Sequence, residues 1–252
     1  RRGKSAHEQL LADGIAVRGD LRNLLDSLRG DATDAECIKA LGNSDRVVSH
    51  TSSRCLAKRN AFDACLQALD QSDQITAPVL RALAMMHETA VVDGLASRLP
   101  KASPQKRRLI LAALCRLHFQ EGIWKGDSWG TRPDTRGPYY QPEPWSETTK
   151  IATVLKESLR SATPEDAADL IQNMHRNRIQ SDEALDQMLR LADSNDRLLA
   201  TAVAQLSTLQ DIPPEGLALL LKAAARDDAS ATVLADTVGA LAKLKHPEVP
   251  AA

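Results

Sequence analysis

Aromatic side chains are almost missing from this chain, which carries two Phe, two Tyr and three Trp in 252 residues. Cysteine is scarce as well: Cys37, Cys55, Cys65 and Cys115 include no C-x-x-C pair and no C-x-x-C-H for covalent haem. Cys55 and Cys115 sit inside apolar helical patterns, where a thiol behaves as a small hydrophobe, so buried free thiols are expected. A Cys55–Cys65 or Cys37–Cys65 bridge is left open by the spacing. No run approaches the 18 apolar residues a membrane span needs, and no membrane insertion is expected. Charge of one sign is lacking too. A net charge of −1 gives no whole-chain pull toward nucleic acid, so nucleic acid is not expected among the partners.

Catalytic signatures are equally sparse. There is no G-x-S-x-G, no P-loop and no dinucleotide fingerprint. His7, His50, His87, His118, His175 and His246 are scattered singly, without a second ligand at metal spacing, and suit helix ends or grooves. Paired acids such as Glu165-Asp166 and Asp227-Asp228 sit at helix starts, where the helix dipole favours them over acid–base work. A calcium site from Asp127, Asp134 and Glu143 lacks EF-hand spacing and has cations beside it. No enzyme activity, cofactor or metal is expected of these residues. The start at Arg1 rather than Met suggests a processed or excised piece of a longer polypeptide.

What is present is repetition. Short helical patterns alternate with polar turns, and one turn type recurs: Gly42-Asn-Ser-Asp45, Asp70-Gln-Ser-Asp73, Ala102-Ser-Pro-Gln105, Asp193-Ser-Asn-Asp196 and Arg226-Asp-Asp228. Ser103-Pro104 and Thr163-Pro164-Glu165 are helix-start signals, because the hydroxyl caps and proline is accepted in a first turn. Ile212-Pro213-Pro214-Glu215 stops one helix and starts the next. Spacings of 28 from Asp45 to Asp73, 30 from Asp73 to Ser103, 33 from Thr163 to Asp196 and 32 from Asp196 to Asp228 define a period near 30. Two helices per unit at that period predict an all-α solenoid of stacked helix pairs, since one pair alone buries too little apolar surface. Apolar residues such as Leu109, Ala112, Ala113 and Leu117, or Leu198, Leu199, Ala202, Val203 and Leu206, trace helical faces. Abundant alanine suits close helix approach.

The unit from Leu41-Gly-Asn-Ser-Asp-Arg-Val47 through Leu56 resembles a HEAT repeat most clearly, and the resemblance extends over nearly the whole chain. It implies a HEAT-like right-handed superhelical scaffold that holds partners. A second likeness lies in Leu114-Cys-Arg-Leu-His-Phe-Gln-Glu-Gly122 and in Trp129-Gly-Thr-Arg-Pro-Asp-Thr-Arg-Gly-Pro-Tyr-Tyr140 with its following Pro-Trp. This segment is similar to one found in large multidomain bacterial proteins that join a sugar-dehydrogenase-like propeller to HEAT repeats and a c-type cytochrome domain. The resemblance implies the helical middle of an exported, extracytoplasmic redox protein. The haem motif and the strand-rich dehydrogenase region do not occur in this chain, so redox activity is not assigned to it.

All three tryptophans and both tyrosines fall between Trp124 and Trp145, in a stretch dense in Gly and Pro that no helix interior accepts. The step from Ser103 to Thr163 is 60, about one repeat too long. A single domain over 1–252 with a loop insertion at 118–148 is therefore expected, unless the insertion itself divides the chain. Trp124, Trp129, Tyr139, Tyr140 and Trp145 either form a miniature core against the helices or a platform for a sugar ring or planar ligand. Arg132 and Arg136 pair with Asp127, Asp134 or Glu143 in the first case and direct a ligand in the second. Lys106, Arg107 and Arg108 add a basic patch against the helix dipole. From Lys101 to Arg136 eight cations face three acids, which fits an anionic partner. The expectation is a non-catalytic protein-interaction scaffold, with a carbohydrate- or anion-binding module on the 122–145 loop as the alternative.

Overall fold

The computed structural model describes residues 19–123, 141–192, 195–207, 212–227 and 229–243. These residues are all-α apart from two very short strands, as the helical periodicity predicts. None of the described helices is long and apolar enough to cross a membrane. Contacts group the chain into two compact units, Arg1–Gln120 with Trp145–Thr148, and Glu121–Pro144 with Thr149–Ala252. The changeover falls at the two flanks of the expected insertion.

The first unit holds α1 (residues 19–29), α2 (Asp34–Leu41), α3 (Arg46–Lys58), α4 (Phe62–Gln71), α5 (Thr76–Leu83), α6 (Thr89–Arg98), a 3-10 turn (Leu99–Lys101) and α7 (Pro104–Leu117). Helices two apart in sequence are neighbours: α3 packs on α5 and α5 on α7, while α2 packs on α4 and α4 on α6. Sequential pairs such as α2–α3, α4–α5 and α6–α7 join these two rows. The core between them is aliphatic, with Leu41, Leu56, Leu69, Leu83, Leu95, Ile110 and Leu114 almost fully buried. α3 turns small hydroxyls inward. Ser49 donates to Leu41 O on α2 and Ser53 to Ser49 O, whereas the buried Ser52 hydroxyl has no partner among the described residues.

The second unit contains α8 (Thr148–Arg160), whose first residue belongs to the first unit, then α9 (Pro164–Arg176), α10 (Asp182–Ala192), α11 (Asp196–Leu206), α12 (Pro214–Ala224) and α13 (Ala231–Lys243). The same contact order recurs: α9 with α11, α11 with α13, and α10 with α12. Two-residue strands β1 (Gln120–Glu121) and β2 (Pro142–Glu143) pair where the chain passes from one unit to the other.

Helix starts follow the polar turns. Thr33 closes a capping box with Glu36, and Asp45 accepts from Val47 N and Val48 N. Ser103 caps α7, Thr163 caps α9 and Asn195 caps α11, and the three helices α7, α9 and α12 begin on proline. All four cysteines are free thiols, with Cys37, Cys65 and Cys115 buried and Cys55 half-buried. Burial raises the Cys65 and Cys115 thiols well above their usual range, which leaves them as unreactive packing groups.

Candidate functional site

The end of α7 is where the expected site begins. An α-helix leaves its last carbonyls without internal partners, and here the carbonyls of Leu117 and of the two residues after it are taken by side chains. Leu117 O accepts from Trp145 Nε1 at 2.7 Å, and His118 O accepts from Thr148 Oγ1 at 2.7 Å. Phe119 O lies 2.9 Å from His87 Nε2. A carbonyl only accepts, so His87 carries its proton on Nε2. Residues 145–148 thus form a clip across the helix end. Its internal bond runs from Trp145 N to Thr148 Oγ1 at 2.9 Å, and Thr89 Oγ1 ties it to α6 through Glu147 Oε1 at 2.9 Å. The His87 ring meets Trp145 edge-on, with centroids 5.2 Å apart.

Both histidines of the clip are held neutral by their surroundings. Burial pulls His87 below its usual range, opposed by the Phe119 carbonyl, and Arg116 pushes the same way as burial. His118 is 6% exposed and burial takes it down to about 4. Its Nδ1 is buried without a hydrogen-bond partner, and its ring packs edge-on against Phe119 at 4.4 Å.

Just beyond, Gly122 N donates to Gln141 O at 2.6 Å. A Cβ on Gly122 would lie 2.7 Å from that oxygen, so the close approach of the two backbones requires glycine.

Of the residues singled out from sequence, Trp124, Asp127, Trp129, Arg132, Asp134, Arg136, Tyr139 and Tyr140 lie outside the described residues. Trp145 is half-buried, and its indole N–H is spent on the helix end. Lys106, Arg107 and Arg108 are all half-buried in the first turns of α7. Lys106 donates to Leu69 O at 2.6 Å and pairs with Asp73 at 3.2 Å. It helps line an open cleft of about 660 Å³ together with Asp70, Asp73, Ser97, Arg98, Lys101 and Ser103. Arg98 binds Asp70 through both nitrogens, Nε at 2.8 Å and Nη2 at 2.5 Å, and this fork holds the Asp70 carboxyl below the usual carboxylate range.

Arg98 belongs to a set that sequence reasoning missed. Arg59 reaches back to Gly30 O, Ala32 O and Asp34, and Arg226 to Asp196. Each arginine follows its acid by 25 to 30 residues (Asp34 to Arg59, Asp70 to Arg98, Asp196 to Arg226), close to one repeat. An acid and an arginine recurring at the repeat spacing is the signal that would have found them. Arg98 joins α6 to α4, while Arg59 joins the end of α3 to the start of α2 and Arg226 the end of α12 to the start of α11. No group of three or more His, Cys, Asp or Glu among the described residues is placed to hold a metal. No protein-family model matches the chain, and no curated protein does either.

Proposed function

We propose that the chain is a HEAT-like α-solenoid that works as a non-catalytic protein-interaction scaffold, with the segment from 118 to 148 inserted between two of its helices. The carrying observation is the contact order, in which every helix from α2 to α7 and from α9 to α13 packs on the next but one. Arginine clamps at the repeat spacing support it. Such stacking makes stability a sum of neighbour terms and leaves long outer faces of helices for partners. The clip at Trp145–Thr148 supports the insertion, since it anchors the returning chain on the helix it left.

Excising one period tests the repeat. Residues 164–195 run from just after the Thr163 cap through the equivalent cap of α11, Asn195. The shortened chain is expected to remain helical and to melt cooperatively by circular dichroism, whereas an unfolded product overturns the solenoid. Tryptophan emission tests the role, because every tryptophan lies within 124–145. Titration with neutral oligosaccharides and with inorganic phosphate is expected to leave emission unchanged. A saturable response would replace the scaffold with a carbohydrate- or anion-binding module.

A further inference from the structure

The two helix rows of the first unit differ sharply in charge. α3, α5 and α7, which pack in succession, carry eight Lys or Arg and no Asp or Glu. α2, α4 and α6 carry five acids against Lys39 and Arg98. Such segregation is invisible in a net charge of −1. It is also unfavourable locally. Arg54 and Lys58 stand one turn apart with like charge, and Arg46 and Lys106 sit in first turns against the helix dipole. Lys106 is neutralised by Asp73, but Arg46, Arg54, Lys58 and Arg81 are exposed and pair with no acid among the described residues.

The outward face of α3 reads Val47, His50, Arg54 and Lys58, at offsets of 3, 4 and 4 residues that align them on one side. Arg81 is the exposed cation of neighbouring α5, and Met85 follows it. Val47 is 55% exposed and Met85 39%, two of the few large hydrophobics left in solvent. We propose that this α3–α5 face docks an acidic, amphipathic protein segment, a reading that rests on the scaffold function above. Its carboxylates meet Arg54, Lys58 and Arg81, and its apolar side chains cover Val47 and Met85. A nucleic-acid backbone matches the charge but offers nothing apolar to those two, and the face carries no Phe, Tyr or Trp on which bases stack.

Fluorescence anisotropy with the full chain tests the proposal, using a labelled amphipathic Glu/Leu peptide of about 20 residues and a DNA duplex of similar length as probes. Saturable peptide binding is expected. The triple substitution Arg54→Gln, Lys58→Gln, Arg81→Gln should weaken it about tenfold or more, and Val47→Ser severalfold. Arg176→Gln with Arg190→Gln, exposed cations of the second unit, should leave it unchanged. Circular dichroism of each variant confirms that it is folded. Tighter binding of the duplex, insensitive to Val47→Ser, overturns the proposal in favour of phosphate recognition. No peptide binding, or equal loss in the second-unit control, overturns it outright. Because the period excision lies in the second unit, a tolerated excision with no peptide binding removes this face and leaves the scaffold reading standing.

Discussion

His118 shows what one residue sets at the end of α7. Its ring is 6% exposed, its Nδ1 has no partner, and burial lowers its pKa from 6.5 to about 4. The unfolded chain therefore binds a proton near pH 6.5 that the folded chain refuses until about 4, so folding loses stability as pH falls through this window. His87 shifts in the same direction through burial and adds to the slope. The carboxylates with lowered pKa, Glu36, Asp70 and Glu183, contribute only below about 4.5, where their unfolded forms protonate. The limb between 6.5 and 4.5 thus belongs to the histidines. Urea unfolding midpoints are expected to be flat from pH 8 to 7 and to decline below 6.5. His118→Gln keeps a neutral polar side chain and should flatten much of that decline, of order 2–3 kcal/mol at pH 4 by the pKa difference. An undiminished acid limb in this variant would show that His118 titrates normally.

At the scale of elements, packing overrides propensity in α6. Gly94 sits in mid-helix, where Ala would be favoured by about 1 kcal/mol. A Cβ there would fall 2.6 Å from Cδ1 and 2.8 Å from Cδ2 of Leu66 on α4. Overpacking of that kind costs about 1–3 kcal/mol, so Gly94→Ala is expected to destabilise the fold. In a Leu66→Ala background the clash is gone, and the same change should stabilise. A double-mutant cycle of chemical unfolding reads the change of sign. Additive effects would mean that α4 and α6 do not meet there.

The legibility of the elements divides along the same line between local and distant causes. Ser103 and Thr163 were readable as caps because a hydroxyl before Pro acts on its own helix. Asp73 was not. The turn Asp70-Gln-Ser-Asp73 resembles the others, yet α5 starts at Thr76 without a side-chain cap, and the Asp73 carboxylate meets Lys106 from a helix more than thirty residues on. The clip shows the same limit: Trp145 was conspicuous by type, but its bond to Leu117 O depends on the chain returning after 28 residues. His87 and Thr148, which complete the clip, carry no sequence signal.

Across the whole molecule, contacts concentrate within two units and, inside each, between neighbouring helices. A fold of this kind spreads a local injury less widely than one with a single shared core, because each helix pair answers mainly to its neighbours. Leu83 on α5 and Leu198 on α11 are both fully buried, one in each unit. Truncating either to Ala removes about 2–5 kcal/mol of packing. Calorimetry of the parent chain is expected to give a van't Hoff enthalpy below the calorimetric one, the mark of more than one cooperative block. Leu83→Ala should lower the part of the endotherm belonging to the first unit, by roughly 10 °C for a block of about 120 residues, and Leu198→Ala the other part. Hydrogen exchange resolved by peptide assigns each part, since protection should fall in α3, α5 and α7 for the first variant and in α9 to α13 for the second. Equal shifts of one sharp endotherm in both variants would mean that the units melt as a single block.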